Sequence, residues 1–130
     1  MVQEKSQTGK AGEQVAANFL KKKGYEILDM NFQNNSGHRL GEIDIIARDV
    51  AQDEIVFVEV KTRDHAKYGH TLPEENIGYQ KLRKLAKVAT IYLRQNKLED
   101  CAYRFDALSI WLDFETRLAK IKHLPNIYLS

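Results

Sequence analysis

Apolar residues return every three or four positions between Thr8 and Lys23, at Ala11, Val15, Ala16, Phe19 and Leu20. That spacing predicts a helix with one buried stripe. Lys21, Lys22 and Lys23 suit its negative C-terminal end, and Gly24 suits the position just past it. The pattern then shortens to that of strands, over Tyr25–Phe32, Gly41–Asp49 and Ile55–Arg63. The last two are the richest in Ile, Val and Phe and are the strongest strand signals in the chain. Asn34-Asn35-Ser36-Gly37 has the composition of a turn, and His65–Asn76, with Gly69 and Pro73, reads as a loop. A second helix is predicted from Ile77 to Asn96, where Leu82, Leu85, Ala86, Ala89, Tyr92 and Leu93 form the buried face. Tyr103–Asp113 and Leu118–Leu124 read as strands paired across a turn near Phe114-Glu115-Thr116. The order of helix, three strands, helix, two strands predicts an α/β (α+β) fold with helices on a central sheet.

Composition narrows this further. At 130 residues, 43% hydrophobic and 29% charged, the chain fits one globular domain, and no repeat or linker divides it. Residues 1–7 read as a tail without the apolar stretch of a secretory signal. The longest apolar run, Ile55-Val56-Phe57-Val58, is far short of the ~20 residues of a membrane span. The lone Cys101 excludes an intramolecular disulfide framework. The expectation is a cytoplasmic protein that does not engage a membrane. The net charge of +2 hides an uneven distribution: Gly78–Lys97 carries Lys81, Arg83, Lys84, Lys87, Arg94 and Lys97 and no acid. On a helical wheel Arg83, Lys87 and Arg94 gather opposite the buried face. A stripe of this kind can follow phosphates, although a solvated lysine face looks the same in sequence. Arg39, Arg63 and Lys67 add charge near the strand ends.

The two strongest strands carry the candidate chemistry. Side chains alternate, so Phe57, Glu59, Lys61 and Arg63 share one face of their strand, and Glu42, Asp44 and Ile46 share one face of theirs. If Asp49 pairs with Glu54 across Val50-Ala51-Gln52-Asp53, Asp44 falls opposite Glu59 on the same face. Two carboxylates ~4 Å apart repel by about 4 kcal/mol at an effective dielectric of 20, so something must offset them. A shared proton, a lysine or a divalent cation would each do so. Oxygen donors suit Mg²⁺ or Mn²⁺ rather than zinc, and Lys61 could then serve a water for attack on phosphorus. An Asp–Glu–Lys cluster is ordinarily a solvated sheet face with a weak ion pair. Here it lies on the two most apolar strands, which seldom expose charge without a functional reason.

Gly41-Glu42-Ile43-Asp44-Ile45-Ile46-Ala47, followed by Val56-Phe57-Val58-Glu59-Val60-Lys61-Thr62-Arg63, resembles the signature of the YraN-like family. Gly12-Glu13 with Ala16, Leu20 and Gly24-Tyr25, then Asn31, Lys81 and Arg104-Phe105-Asp106, fit the same family over nearly the whole chain. That family is similar to archaeal Holliday junction resolvases, within the PD-(D/E)xK, restriction-endonuclease-like superfamily. The resemblance implies a central mixed sheet flanked by helices. It also implies a metal-dependent endonuclease acting on DNA, with branched or structured DNA as a substrate. In that reading Asp44, Glu59, the Val60 carbonyl and Glu13 are metal ligands for Mg²⁺ or Mn²⁺, and Lys61 is the catalytic lysine. Ile43 stands where the superfamily has proline, and Gln33 where an arginine is common. Neither change removes a ligand.

From the residues alone, Glu13 borders the apolar stripe of its helix and can lean toward the sheet, and a surface glutamate fits equally well. Glu42, sharing a face with Asp44, is a candidate to support the metal ligands from beside them without binding the ion itself. Lys81 near the helix start faces the metal site if the resemblance holds. Arg63, Lys81, Arg83, Lys84, Lys87 and Arg94 are the candidate DNA contacts. A homodimer would let a small nuclease of this kind cut two strands. His38, His65, His70 and His123 have no metal-ligand spacing, Cys101 has no catalytic partner, and Trp111, Phe105, Leu112 and Tyr103 read as core rather than a stacking platform, with room for one exposed aromatic among them. Tyr68-Gly69-His70 reads as a connector. Two other functions fit the same pattern: a nucleic-acid-binding module without catalysis, and a protein-interaction domain whose basic helix docks an acidic partner.

Overall fold

The hairpin of β2 (Glu42–Asp49) and β3 (Glu54–Asp64) occupies the middle of the molecule. Its residues pair as Asp49 with Glu54 through Ile45 with Val58, the register expected from the length of the loop. The computed structural model describes residues 7–34, 41–64 and 78–127. Within them β1 (Tyr25–Gln33) pairs antiparallel with β2, while β4 (Tyr103–Asp113) pairs parallel with β3 and antiparallel with β5 (Leu118–Leu124). The five strands thus lie in chain order in one mixed sheet. The parallel pair is adjacent because α2 (Tyr79–Gln95) lies between β3 and β4 in the chain, which gives it room to cross over and return in the same direction.

Each helix covers one face. Ala16, Ala17 and Leu20 of α1 (Gln7–Lys22) pack on Ile45, Ala47, Val56, Val58, Leu108 and Ile110. Leu85, Val88, Ala89, Tyr92 and Leu93 of α2 pack on Ile46, Ile55, Phe57 and Phe105. β2 and β3 are therefore apolar on both sides, as their sequences require. Ala17 and Val88 join these buried faces although the periodicity had not singled them out, and Leu82 and Ala86 are half-buried. Phe105 and Leu112 are core, Trp111 is half-buried and Tyr103 is exposed. The expected loop at His65–Asn76 lies outside the described residues, as do Asn35, Ser36 and Gly37 of the expected turn and the connector Tyr68-Gly69-His70. No helix among the described residues is long and apolar enough to cross a membrane.

Two irregularities shape the two ends of the sheet. Met30 and its partner Ile45 pack under α1, yet Phe32 and its partner Ile43, two residues along, pack under α2. Strict alternation would put both pairs on one face. The facing reverses across Asn31, whose φ of 58° is left-handed, and across Asp44 opposite it. Asn is one of the few residues that enter that region at small cost. At the other end Arg104 ties four strands together. Its guanidinium donates to Glu54 Oε1 at 2.7 Å, Asp49 Oδ2 at 3.2 Å, Asp106 Oδ1 at 3.1 Å and the Tyr25 hydroxyl at 2.8 Å. Asp106, fully buried, also bonds His123 Nε2 at 2.8 Å and accepts the Asn126 N–H at 3.0 Å. Burial alone would push this carboxyl up, but the bonds from His123, Arg104 and Asn126 outweigh it and hold it below the usual carboxylate range.

Candidate metal centre

The site lies at the end of the sheet away from Arg104. α1 approaches β3 there at Gly12, where a Cβ would overlap the Thr62 side chain. This close approach carries the next residue, Glu13, into the interior, where it is 6% exposed. Glu13, Glu42 and Asp44 each present a carboxylate oxygen, and the three oxygens lie within 4.8 Å of one another. Gln33 Nε2 donates to Glu42 Oε2 at 2.8 Å. Asp44 Oδ2 accepts the Val60 N–H at 2.8 Å. Pairing between β2 and β3 extends to Ile45–Val58, and beyond it this side chain takes the backbone N–H of β3. The reversal at Asn31 and Asp44 is thus where the strand exchanges a backbone rung for a side-chain rung.

Glu59 lies beside this group, 7% exposed, and is held by two lysines. Lys81 Nζ is 2.6 Å and Lys61 Nζ 3.7 Å from its Oε1. Burial and then the charge of Asp44 push the Glu59 carboxyl above the usual range, against the pull of both lysines. Burial and the adjacent Lys81 ammonium push Lys61 below the usual lysine range. Lys81 goes the other way: burial opposes its charge, but the hydrogen bond and charge of Glu59 prevail and raise it.

The sequence pattern pairs Asp44 with Glu59 and puts Glu42 behind them. The structure brings Glu42 into the carboxylate group itself, with Glu13 and Asp44, and places Glu59 on Lys81. Asp44 links the two sets, through its proximity to Glu13 and Glu42 and through its charge on Glu59, Lys61 and Lys81. Val60 reaches the site through its N–H on Asp44. The donor set is made of hard carboxylate oxygens, gathered together with Glu13 and Asp44 buried and Glu42 half-buried, and fits Mg²⁺ or Mn²⁺ better than zinc. His123, which lacks ligand spacing, is engaged by Asp106 on β4 and is not part of the carboxylate group.

On α2, Arg83, Lys84, Lys87 and Arg94 are exposed on the outer face, while Lys81 turns inward to Glu59. Arg83 lies 5.8 Å above the ring of Tyr79, which is 71% exposed at the start of the helix. Arg63 is half-buried on β3 beyond Lys61. Arg39 and Lys67 lie outside the described residues. The motifs of the sequence do not reveal the Arg104 network as chemistry, although an aspartate just inside the apolar run Phe105–Leu112 is a visible signal for it: a charge there needs buried partners.

The model of the family described as "Uncharacterised protein family UPF0102" matches residues 12–110. The span contains Glu13, Glu42, Asp44, Glu59, Lys61 and Lys81. A UPF0102 protein of Caldicellulosiruptor saccharolyticus is 40% identical over 124 residues, covering 95% of this chain and 98% of its own. Another, of Alkaliphilus oremlandii, is 43% identical over 122 residues, covering 92% of this chain and 96% of its own. A third, of Syntrophus aciditrophicus, is 46% identical over 105 residues, covering 81% and 76% of the two chains.

Proposed function

The chain belongs to the UPF0102, or YraN-like, family, and on that footing we propose that it is a metal-dependent endonuclease hydrolysing phosphodiester bonds of DNA, with branched or structured DNA as substrate. The observation that carries this reading is the largely buried group of Glu13, Glu42 and Asp44 oxygens within 4.8 Å of one another, next to a Glu59–Lys61 pair. Glu13, Glu42 and Asp44 hold Mg²⁺ or Mn²⁺, with Glu59 and the Val60 carbonyl at its border. Such an ion supplies charge neutralisation at the phosphate and a water of lowered pKa. Lys61 stands beside Glu59, and burial together with Lys81 weakens its hold on its proton. It is placed to orient the attacking water and to exchange a proton with it. Arg83, Lys84, Lys87 and Arg94 run along the exposed face of α2 and follow the DNA backbone, joined by Arg63 at the strand end. A homodimer would supply one site per strand of a duplex, in the cytoplasm where the substrate lies.

The test is cleavage of linear, single-stranded and junction DNA with Mg²⁺ or Mn²⁺ by the protein and by Asp44→Ala and Lys61→Ala. Both substitutions are expected to abolish cleavage, and equal activity in all three proteins would refute the assignment. Mn²⁺ is also expected to raise the melting temperature of the unsubstituted protein and not that of Asp44→Ala. One observation favours a second reading, a nucleic-acid-binding module without turnover: Glu59 is engaged by Lys81 rather than grouped with the other carboxylates. Salt-dependent DNA binding with no cleavage under either metal would select it. Absence of both DNA binding at low salt and any effect of Mn²⁺ would leave the basic helix as a protein-docking surface.

A further inference from the structure

Lys81 is an unusual choice for its position. It lies in the first turn of α2, where the helix dipole disfavours a cation and where no acid stands. Gly78, which caps the helix, makes no side-chain capping bond. Lys81 is also the shortest ion-pair contact of Glu59, at 2.6 Å against 3.7 Å for Lys61. The two ends of this pair differ in exposure: the Glu59 side chain is 8% exposed and that of Lys81 is 44%. The carboxylate is fixed in the interior, while the ammonium sits on a long flexible stem that can turn to solvent. A buried carboxylate requires a cation, and a lysine and a divalent ion are alternative ways to provide one.

We propose that Lys81 is a resident counter-cation that holds Glu59 when no metal is bound and gives way when a divalent ion enters the neighbouring carboxylate group. This rests on the metal reading above and adds to it a determinant of metal affinity. Entry of the ion brings a second positive charge next to Glu59, and the two cations repel each other. Lys81 is the one free to leave, since the ion is held by Glu13, Glu42 and Asp44. Glu59 then turns to the ion, and the freed ammonium faces outward beside Arg83 and Lys84, where a phosphate would meet it. Metal entry thereby converts Lys81 from a structural partner into a further phosphate contact.

The experiment is titration of the full chain with Mn²⁺ at pH 8, read by calorimetry and by metal-induced shift in melting temperature, with no DNA present. Lys81→Met is expected to tighten Mn²⁺ binding about fivefold, the size of one partly exposed ion pair. Lys81→Arg keeps the charge and is expected not to tighten it. Arg83→Met removes an equal charge from the same helix, outside the Glu59 pair, and is expected to change affinity by no more than about twofold, as a distant exposed charge would. A direct readout accompanies these. The Lys81 ammonium signal in lysine side-chain NMR, assigned by its loss in Lys81→Met, is expected to disappear or move when Mg²⁺ is added. Unchanged Mn²⁺ affinity in Lys81→Met, equal tightening in Arg83→Met, or an ammonium signal indifferent to Mg²⁺ would each overturn the proposal while leaving the metal site standing. No Mn²⁺ binding by the unsubstituted protein would overturn the metal reading and the role of Lys81 together.

Discussion

Replacing Gly12 by alanine tests how the site is assembled, because one methyl group would have to occupy the space of the Thr62 side chain. The new Cβ would overlap Thr62 Oγ1, Cγ2 and Cβ. Thr62 cannot easily yield: it is β-branched and stiff at χ1, and its backbone is paired with Ile110 of β4. The helix must therefore move away from the sheet. Overpacking costs roughly 1–3 kcal/mol, and an overlap with three atoms falls in the upper part of that range, about 2–3 kcal/mol, against about 1 kcal/mol gained because alanine suits a helix better than glycine. The net expectation is a loss of about 1–2 kcal/mol, or roughly 4–8 °C in melting temperature for a domain of this size. Urea and thermal unfolding followed by circular dichroism would measure it. A second signature separates overlap from general damage: Thr62→Ala in the Gly12→Ala background removes two of the overlapping atoms and is expected to restore part of the loss. Glu13 follows Gly12 directly, so the Mn²⁺-induced stabilisation is expected to shrink in Gly12→Ala and recover in the double variant. A Gly12→Ala protein as stable as the parent, or more so, would show that only helix propensity matters there and would refute the close approach.

Other outcomes follow from the charged groups. Glu59→Gln is expected to raise the melting temperature at pH 8 and to leave it unchanged near pH 4. The Glu59 carboxyl is raised in the folded protein, so the folding penalty is absent below the ordinary carboxylate range and is fully felt once the pH exceeds the raised value; a gain at both pH values would contradict this. Asp106 has the opposite sign: its carboxyl is lowered, so its contribution is present above the ordinary carboxylate range and is lost as the pH falls through its lowered value. Asp106→Asn is expected to cost about 3–5 kcal/mol at pH 7, because it leaves Arg104 and its partners unbalanced in the interior, and to flatten the acid limb of the stability profile. Urea midpoints from pH 7 to pH 3 would check both. Replacing Arg83 and Lys87 by alanine is expected to reduce the slope of log affinity for DNA against log salt by about 1.8, nearly one unit per phosphate contact, with little change in stability.

The strands were legible because their apolar patterns are strong and because a four-residue loop fixes the hairpin register. The expected sum of 103 for paired residue numbers holds from Asp49–Glu54 to Ile45–Val58. Both helices were legible from their stripes, to within a residue or two at each end. What alternation could not foresee is the reversal at Asn31 and Asp44. A period of two assumes an unbroken strand, and one left-handed residue is enough to turn the following side chains over. The grouping of Glu42 with Glu13 and Asp44 depends on that reversal, as does the bond from the Val60 N–H. Lys81 illustrates the complementary limit. Its place on the helix was plain, but whether it would face solvent or Glu59 depends on how α2 lies on the sheet, which spacing within the helix does not encode. Arg104 and Asp106 were hidden for a third reason: their partners come from Tyr25, Asp49, Glu54 and His123, spread over all the other strands.

The bond from the Val60 N–H to Asp44 gives the backbone a voice in the state of the site. The paired rungs of β2 and β3 that precede it join main chain to main chain and open only when the strands part. This one opens whenever a single carboxylate turns aside. The amide proton of Val60 is therefore a spectator placed inside the machinery, and the rate at which it exchanges with deuterium tells whether Asp44 is committed to the strand or to something else. One lone pair of Oδ2 is already spent on that rung, so a ligand that leaves the rung intact must be met by the remaining lone pairs. A slow Val60 amide in the presence of a cation would mean that Asp44 serves both at once; a fast one would mean that the sheet had released it.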